Sequence, residues 1–352
     1  MRLMDTLPVP ERHERLTDDG VPLRLTRYQG GSKGPVMLVH GAGVWSGMFK
    51  LPTISENFVQ YLVRHGYDTW LVDWRASTQL ELRQFSLDEP ARYDMPAAVR
   101  FIREVTKADS VQAVVHCAGS VMFFMSMAAG YLPDVRGVVA SQVALHHDVP
   151  RATLLKSRLR LPDLLDVAVN YMAPDEGTQH PRLQAAFGKM VDLVYRECDS
   201  TVCHRLSFLY GRLYRHARLN TQTHARLHEQ FGRCNMQTFR HLAQMARTGY
   251  AVRYDYGKEE NLRLYGRARP PDYLDPTHLR LPITFVVGDH NQTYLPTSSQ
   301  KTYEWLREAN GAKYYQRKVL TGYAHLDTFM GSTASRDTYP IILDALEATA
   351  RA

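Results

Sequence analysis

The sequence predicts an α/β protein, a mostly parallel sheet with helices on both faces and a helical block inserted late in the sheet. Three observations carry this. Short apolar runs bounded by glycine or polar residues alternate with helical patterns up to about His146. From Pro150 to Gly249 the pattern is helical, rich in Leu, Arg and His, with no convincing strand. The alternation then resumes to the C-terminus. One domain with an insertion follows, the core being residues 1–147 and 251–352 and the insertion a cap over 148–250.

Each element has a local reason. Leu16–Tyr28 reads as a hairpin turning at Asp19-Gly20. Pro35–His40 is a short buried strand, followed by a helix near Glu56–Arg64 and a strand at Thr69–Val72. Tyr93–Pro96 opens a helix, with Asp94 expected as N-cap and Pro96 in the first turn. Its apolar positions Ala98, Phe101, Ile102 and Val105 recur at helical spacing. Val111–His116 is a strand, Ala118–Ala129 a helix and Val135–Val143 a strand. After the cap come a strand at Leu281–Val287, a helix at Ser298–Glu308, a strand at Tyr314–Leu320 and a helix around Tyr339–Thr349.

Composition narrows the function classes. The 352 residues are 44% hydrophobic and 22% charged, which excludes disordered and collagen-like chains and small disulfide scaffolds. No apolar run reaches the ~18 residues that would cross a bilayer. Met1–Leu16 lacks the apolar centre of a signal peptide, so a cytoplasmic location is expected, and free thiols at the four cysteines agree with it. Their spacing suggests no zinc site: Cys198 and Cys203 precede His204, but no second cluster completes a tetrahedral set. The net charge of +7 resides in residues 151–250, which hold 15 Lys/Arg against 8 Asp/Glu. Such a segment could meet anionic lipid or a phosphate-bearing acyl carrier, although solvated helix faces are the favoured explanation. No nucleic-acid signature accompanies it.

Three segments carry chemistry. Val115-His116-Cys117-Ala118-Gly119-Ser120 lies between a strand and a helix, where a nucleophile at a sharp turn needs small neighbours. Gly119 supplies one, whereas Val115 is bulkier than the usual glycine. A thiolate at Cys117 would be favoured by the helix N-terminus, and a buried structural cysteine is the alternative. His40-Gly41-Ala42-Gly43, at the end of an earlier strand, can aim the Ala42 N–H at the same point as the Ala118 N–H, forming an oxyanion hole. His325, in Gly322–Asp327 after the last strand, has the chain position of a general base. Its orienting partner should follow the strand ending at Val287, where Asp289 and Asn291 both stand.

The chain resembles the acid lipases, the gastric and lysosomal lipases of the α/β-hydrolase superfamily. Gly66–Leu71 is similar to that family's G-Y-D-V-W-L, and Phe85–Ala97 to its F-S-F-D-E-x-A-x-Y-D-L-P-A. Tyr254–Gly257, Asn261, Tyr265, Pro270–Tyr273 and His325-Leu326-Asp327 resemble further family segments. The chain is also similar to hydrolase domains found beside bacterial cholesterol oxidases. The resemblance implies the α/β-hydrolase fold with an eight-stranded sheet. Two departures matter: Cys117 stands where lipases carry serine, and Asn291 where they carry aspartate. Gly288 and Pro296 fix that register and disfavour Asp289, so the implied triad is Cys117, His325 and Asn291.

The two departures agree physically. A thiol beside histidine can ionise in advance as a thiolate–imidazolium pair, and a neutral amide can then orient the ring. The expected reaction forms an acyl-thioester on Cys117 from a hydrophobic acyl thioester or ester, with CoA or an acyl carrier protein as candidate carriers, and releases the acid to water. Transfer to another nucleophile, including cyclisation, is the competing reading, and a catalytically silent binding protein the third. No cofactor or metal is called for.

Overall fold

The structure is a computed structural model that describes residues 7–158, 197–232 and 235–350. Eight strands form one sheet: β1 (Glu11–Leu16), β2 (Pro22–Tyr28), β3 (Lys33–Val39), β4 (Tyr67–Asp73), β5 (Val111–His116), β6 (Val135–Ser141), β7 (Ile283–Gly288) and β8 (Tyr315–Leu320). Their spatial order is β1-β2-β4-β3-β5-β6-β7-β8. The first two pairings are antiparallel and the remaining five parallel. The alternation read from the sequence therefore forms the mostly parallel sheet it implied.

Successive residues of a strand face opposite sides, and the core divides accordingly. Met37, Val39, Trp70, Ala113, Val115 and Phe285 join one cluster; Val36, Leu38, Leu71, Val114 and Val286 join the other. The helices Asp94–Thr106, Ala118–Ala128 and Pro296–Asn310 cover the first face. Phe58–Arg64 and Tyr339–Glu347 cover the second. Ala118–Ala128 is buried along its whole length, which explains its apolar A-G-S-V-M-F-F-M-S-M-A sequence. Each fully buried Phe or Met contributes about 1.5–3 kcal/mol over its exposed state.

Two elements differ from the sequence reading. The hairpin is longer, because the first strand begins at Glu11 rather than near Leu16. Its charged residues E-R-H-E-R-L hide it: this is an edge strand, largely solvated, where apolar alternation is not required. Asp94 lies inside its helix, with Tyr93 at the cap position. Its buried carboxylate instead accepts hydrogen bonds from the backbone N–H (3.0 Å) and Nε (2.8 Å) of Arg75.

The described part of the insertion between β6 and β7 is helical: Arg151–Arg158, Thr201–Tyr210, the short Thr221–Ala225, and Met236–Thr248. None of the described helices is long and apolar enough to cross a membrane.

Candidate active site

The loops after β3, β5, β7 and β8 emerge at the carboxyl edge of the sheet, the edge at which ligands bind in open α/β folds. Cys117 occupies the turn from β5 into helix Ala118–Ala128, with φ 56° and ψ −132°. A non-glycine residue there is strained, and the surroundings hold it: its N–H donates to Ser141 O (3.2 Å), and its carbonyl accepts from Ser120 and Val121. Gly119 lets the turn approach β3, since a Cβ would fall 2.2 Å from the His40 carbonyl oxygen. Val115, bulkier than the usual glycine, is simply absorbed into the core.

The Ala118 and Ala42 N–H groups both reach the Cys117 sulfur and favour its thiolate. The loop that aims Ala42 is fixed by its neighbours. Trp74 Nε1 donates to His40 O (3.0 Å), and Asp73 accepts from the Ser46 N–H (2.9 Å) and hydroxyl (2.8 Å).

His325 is fully buried, and its Nδ1 lies 3.2 Å from Asn291 Oδ1. The orientation of that amide follows from donors that cannot reverse. The backbone N–H groups of Thr293 (3.0 Å) and Tyr294 (3.2 Å) point at Oδ1, so this atom is the acceptor. His325 Nδ1 must then carry the proton, leaving Nε2 as a bare base. Nε2 has no hydrogen-bond partner, so no hydrogen bond joins it to the Cys117 sulfur in this structure; such contacts tighten when substrate binds.

The other amide face meets Gln142, which the sequence reading missed. Gln142 Oε1 accepts from Asn291 Nδ2 (2.9 Å) and the Gly288 N–H (3.2 Å), while its Nε2 donates to Thr328 Oγ1 (2.7 Å). Its backbone is also left-handed, with φ 82°. The available signal was a buried amide directly after an apolar strand. Asp289 is remote from this network: it is turned outward and accepts from the Gly322 N–H (2.7 Å). Of the two orienting candidates, only Asn291 meets the ring.

Cys117 and His325 share one neighbourhood. The His325 ring lies 4.8 Å from that of His116, the residue before Cys117, and 6.2 Å from Tyr294. Tyr294, Cys117, Ala42 and Ala118 line the same cavity. The expected resting ion pair is not formed, however. Burial pushes the Cys117 thiol up to about 12, against the pull of the two N–H groups, and His325 down to about 3. An amide brings no charge to offset the loss of solvent, so both partners rest neutral.

The cavity opens to solvent. Its walls are mostly apolar, built from Phe208, Leu209, Met236, Phe239 and Leu242 of the cap. Five of the described cap arginines are engaged with other groups of the protein. Arg215 and Arg218 bind the Gly322 carbonyl, Arg247 the Ser157 carbonyl, and Arg212 and Arg226 pair with Glu197 and Glu229.

No established family profile matches the chain. Over 93% of its length it is 25% identical to lipase lipl-1 of Caenorhabditis elegans, covering 86% of that protein. It is 24% identical to the gastric triacylglycerol lipase of Mus musculus over 94% of its length and 86% of the relative's. Among solved structures, a thermophilic esterase from Thermogutta terrifontis superposes with a TM-score of 0.57 at 14% identity, over 96% of this chain and 99% of that one. With the strand order and the sharp strand–helix turn, these similarities show the α/β-hydrolase fold.

Proposed function

We propose that the chain hydrolyses carboxylic esters or thioesters with apolar acyl groups, through an acyl-thioester on Cys117. The observation that carries this reading is Cys117 itself, held at a left-handed strand–helix corner with two backbone N–H groups on its sulfur. A structural cysteine needs neither feature. The similarity to lipases and an esterase supports ester hydrolysis as the reaction class.

In the proposed reaction Cys117 Sγ attacks the acyl carbon while its proton passes to His325 Nε2. The Ala42 and Ala118 N–H groups stabilise the developing oxyanion. Collapse breaks the bond to the leaving alkoxide or thiolate, which takes the proton from His325. Water then attacks the thioester, giving its proton to Nε2, and the acid leaves as the thiol is restored. Asn291 keeps the ring in the tautomer both steps need, and Gln142 holds Asn291. A thioester exchanges one thiolate for another, whereas an oxygen ester must expel the poorer alkoxide, so thioesters are the favoured class. The cap cavity receives the apolar acyl chain. Delivery on CoA or a carrier protein gains little support from the five cap arginines described above, which are engaged with the protein itself.

The test is a p-nitrophenyl acyl ester with mass spectrometry of the quenched enzyme. A burst and one acyl adduct on Cys117 are expected, and neither with Cys117→Ala. Equal turnover by Cys117→Ala, or no adduct on the intact chain, would overturn the proposal. Acyl-amine products formed at the expense of acid when amine acceptors are added would replace hydrolysis by acyl transfer.

A further inference from the structure

Away from Cys117, four side chains of the cap converge. The sulfurs of Cys198 and Cys203 and one ring nitrogen each of His216 and His224 all lie within 4.8 Å of one another. We propose that these four residues form a structural Zn2+ site that ties the cap to the loop carrying His325.

The donor set suits this ion. Two thiols and two imidazoles arranged around a point are a tetrahedral S₂N₂ set, the combination that selects zinc among common divalent metals. Each thiol gives up its proton to solvent as the ion binds, and the imidazoles remain neutral. Cys203 Sγ already lies 3.4 Å from His216 Nε2. His216 Nδ1 lies 3.3 Å from a Glu197 carboxylate oxygen, the partner that orients and strengthens a ligating histidine. Glu197 is in turn held by Arg212 at 2.6 Å. His224 Nε2 is buried and has no hydrogen-bond partner, an unusual state for a polar atom in a region otherwise well bonded.

Spacing alone did not show this set. Four residues separate the cysteines, twelve separate Cys203 from His216, and seven separate the histidines. The last gap is longer than the three to five residues of a finger-type pair, because a turn and the start of a new helix lie between the two rings. His204, adjacent in sequence, is not a member; its Nε2 lies 2.5 Å from the Cys198 carbonyl oxygen.

The position gives the ion a mechanical role. Cys203 sits in the first turn of helix Thr201–Tyr210, whose other end supplies Phe208, Leu209 and Tyr210 to the acyl cavity. The stretch containing His216 is bonded to the His325 loop: the Leu326 N–H donates to Leu213 O (2.7 Å), and the Arg215 N–H to the Asp327 carboxylate (3.2 Å). His224 belongs to the short helix that meets the core through a Thr53–Thr223 hydroxyl contact of 2.6 Å. An ion at this point would clamp three cap segments and set the cavity wall against the catalytic loop. Small closed structures with little core of their own commonly depend on such a metal.

Elemental analysis of the full chain, grown with zinc and purified without chelator, tests the site. About one zinc per chain is expected, falling below a tenth in Cys198→Ser/Cys203→Ser. Because that variant could misfold, the wild-type chain is also stripped with a chelator and titrated with Zn2+ or Co2+ alone. Saturation at one equivalent is expected, with thiolate-to-cobalt charge transfer and the strong visible bands of tetrahedral Co2+. Removal should lower Tm by several degrees and speed backbone hydrogen exchange in residues 197–225, both reversed by Zn2+. Substoichiometric metal without saturable rebinding, equal zinc in the double variant, or a Cys198–Cys203 disulfide in the native protein would overturn the proposal. None of these readouts depends on Cys117.

Discussion

Asn291→Asp places a negative charge against His325 without moving the backbone that orients it. The amide oxygen lies 3.2 Å from Nδ1, and burial holds the imidazole at about 3. A unit charge about 4 Å away at an effective dielectric of ~20 is worth ~4 kcal/mol. At 1.36 kcal/mol per unit that is ~3 units, which brings the histidine to about 6. The charge favours the imidazolium, so the shift is upward. Protonated His325 cannot act as base, and the acid limb of kcat/KM should therefore move from about pH 3 to about pH 6. Gln142 Oε1 opposes the change, because it would face carboxylate oxygen where it now accepts an N–H at 2.9 Å. The Gly288 N–H prevents Gln142 from simply reversing its amide. The assay is kcat/KM against pH with a soluble p-nitrophenyl ester, paired with an NMR titration of the His325 ring. A folded variant whose acid limb and ring titration both stay below pH 4 would refute the reasoning.

Three other outcomes follow from the same geometry. Cys117→Ser should lose at least two orders of magnitude in kcat, and Cys117→Ser/Asn291→Asp should recover much of it, because a hydroxyl needs the charged orienter that a thiol can do without; additive losses in the double variant would contradict this coupling. Gly41→Ala would bring a Cβ to 2.7 Å from Cys117 Cβ and 3.2 Å from its sulfur, so kcat/KM should fall at least about tenfold with little change in Tm; full activity would mean the sulfur sits elsewhere. Acid should weaken the fold: His147 and His325 are both held at about 3, so below about pH 6.5 the unfolded chain binds protons the native one refuses, and each costs about 1.4 kcal/mol per pH unit down to about 3. Asp327, pushed up to about 6 by burial, has the opposite sign between about 6 and 4 and cancels one of them there, so urea midpoints should fall from pH 7 to 4, most steeply just below 6.5.

The centre of the sheet was legible because strands such as β4, β5 and β7 are buried on both faces and read as short, largely apolar runs. Val111–His116 needed no correction, while the charged edge strand Glu11–Leu16 was largely invisible. Cys117, Asn291 and His325 could be singled out because each follows a strand at the sheet's carboxyl edge, where position restricts the choice among 15 histidines. Gln142 and the grouping of Cys198, Cys203, His216 and His224 were not legible. Their contacts join segments far apart in sequence, and only the packed cap brings them together. The resting protonation state was misjudged for a related reason. Proximity of a thiol to a histidine predicts ionisation only if the pair stays solvated or meets a charge, and here burial dominates.

That neutrality changes the argument for pairing a thiol with an amide. Burial disfavours the charged form of both groups and no carboxylate offsets it, so moving the proton before a substrate arrives is costly. A turnover of about 10 per second allows a total barrier of only ~16 kcal/mol. A costly prior ionisation would consume part of that barrier, so in the proposed reaction the proton moves as the Sγ–carbon bond forms, and the Ala42 and Ala118 N–H groups act on the charge that appears. An imidazolium then forms in the transition state, as in a serine enzyme, and the missing carboxylate costs it ~3 units. A thiol is a stronger acid than water by ~7 units, with water standing for a hydroxyl. The gain in acidity at residue 117 exceeds the loss at residue 291, which is why the amide is tolerable beside sulfur and would not be beside oxygen.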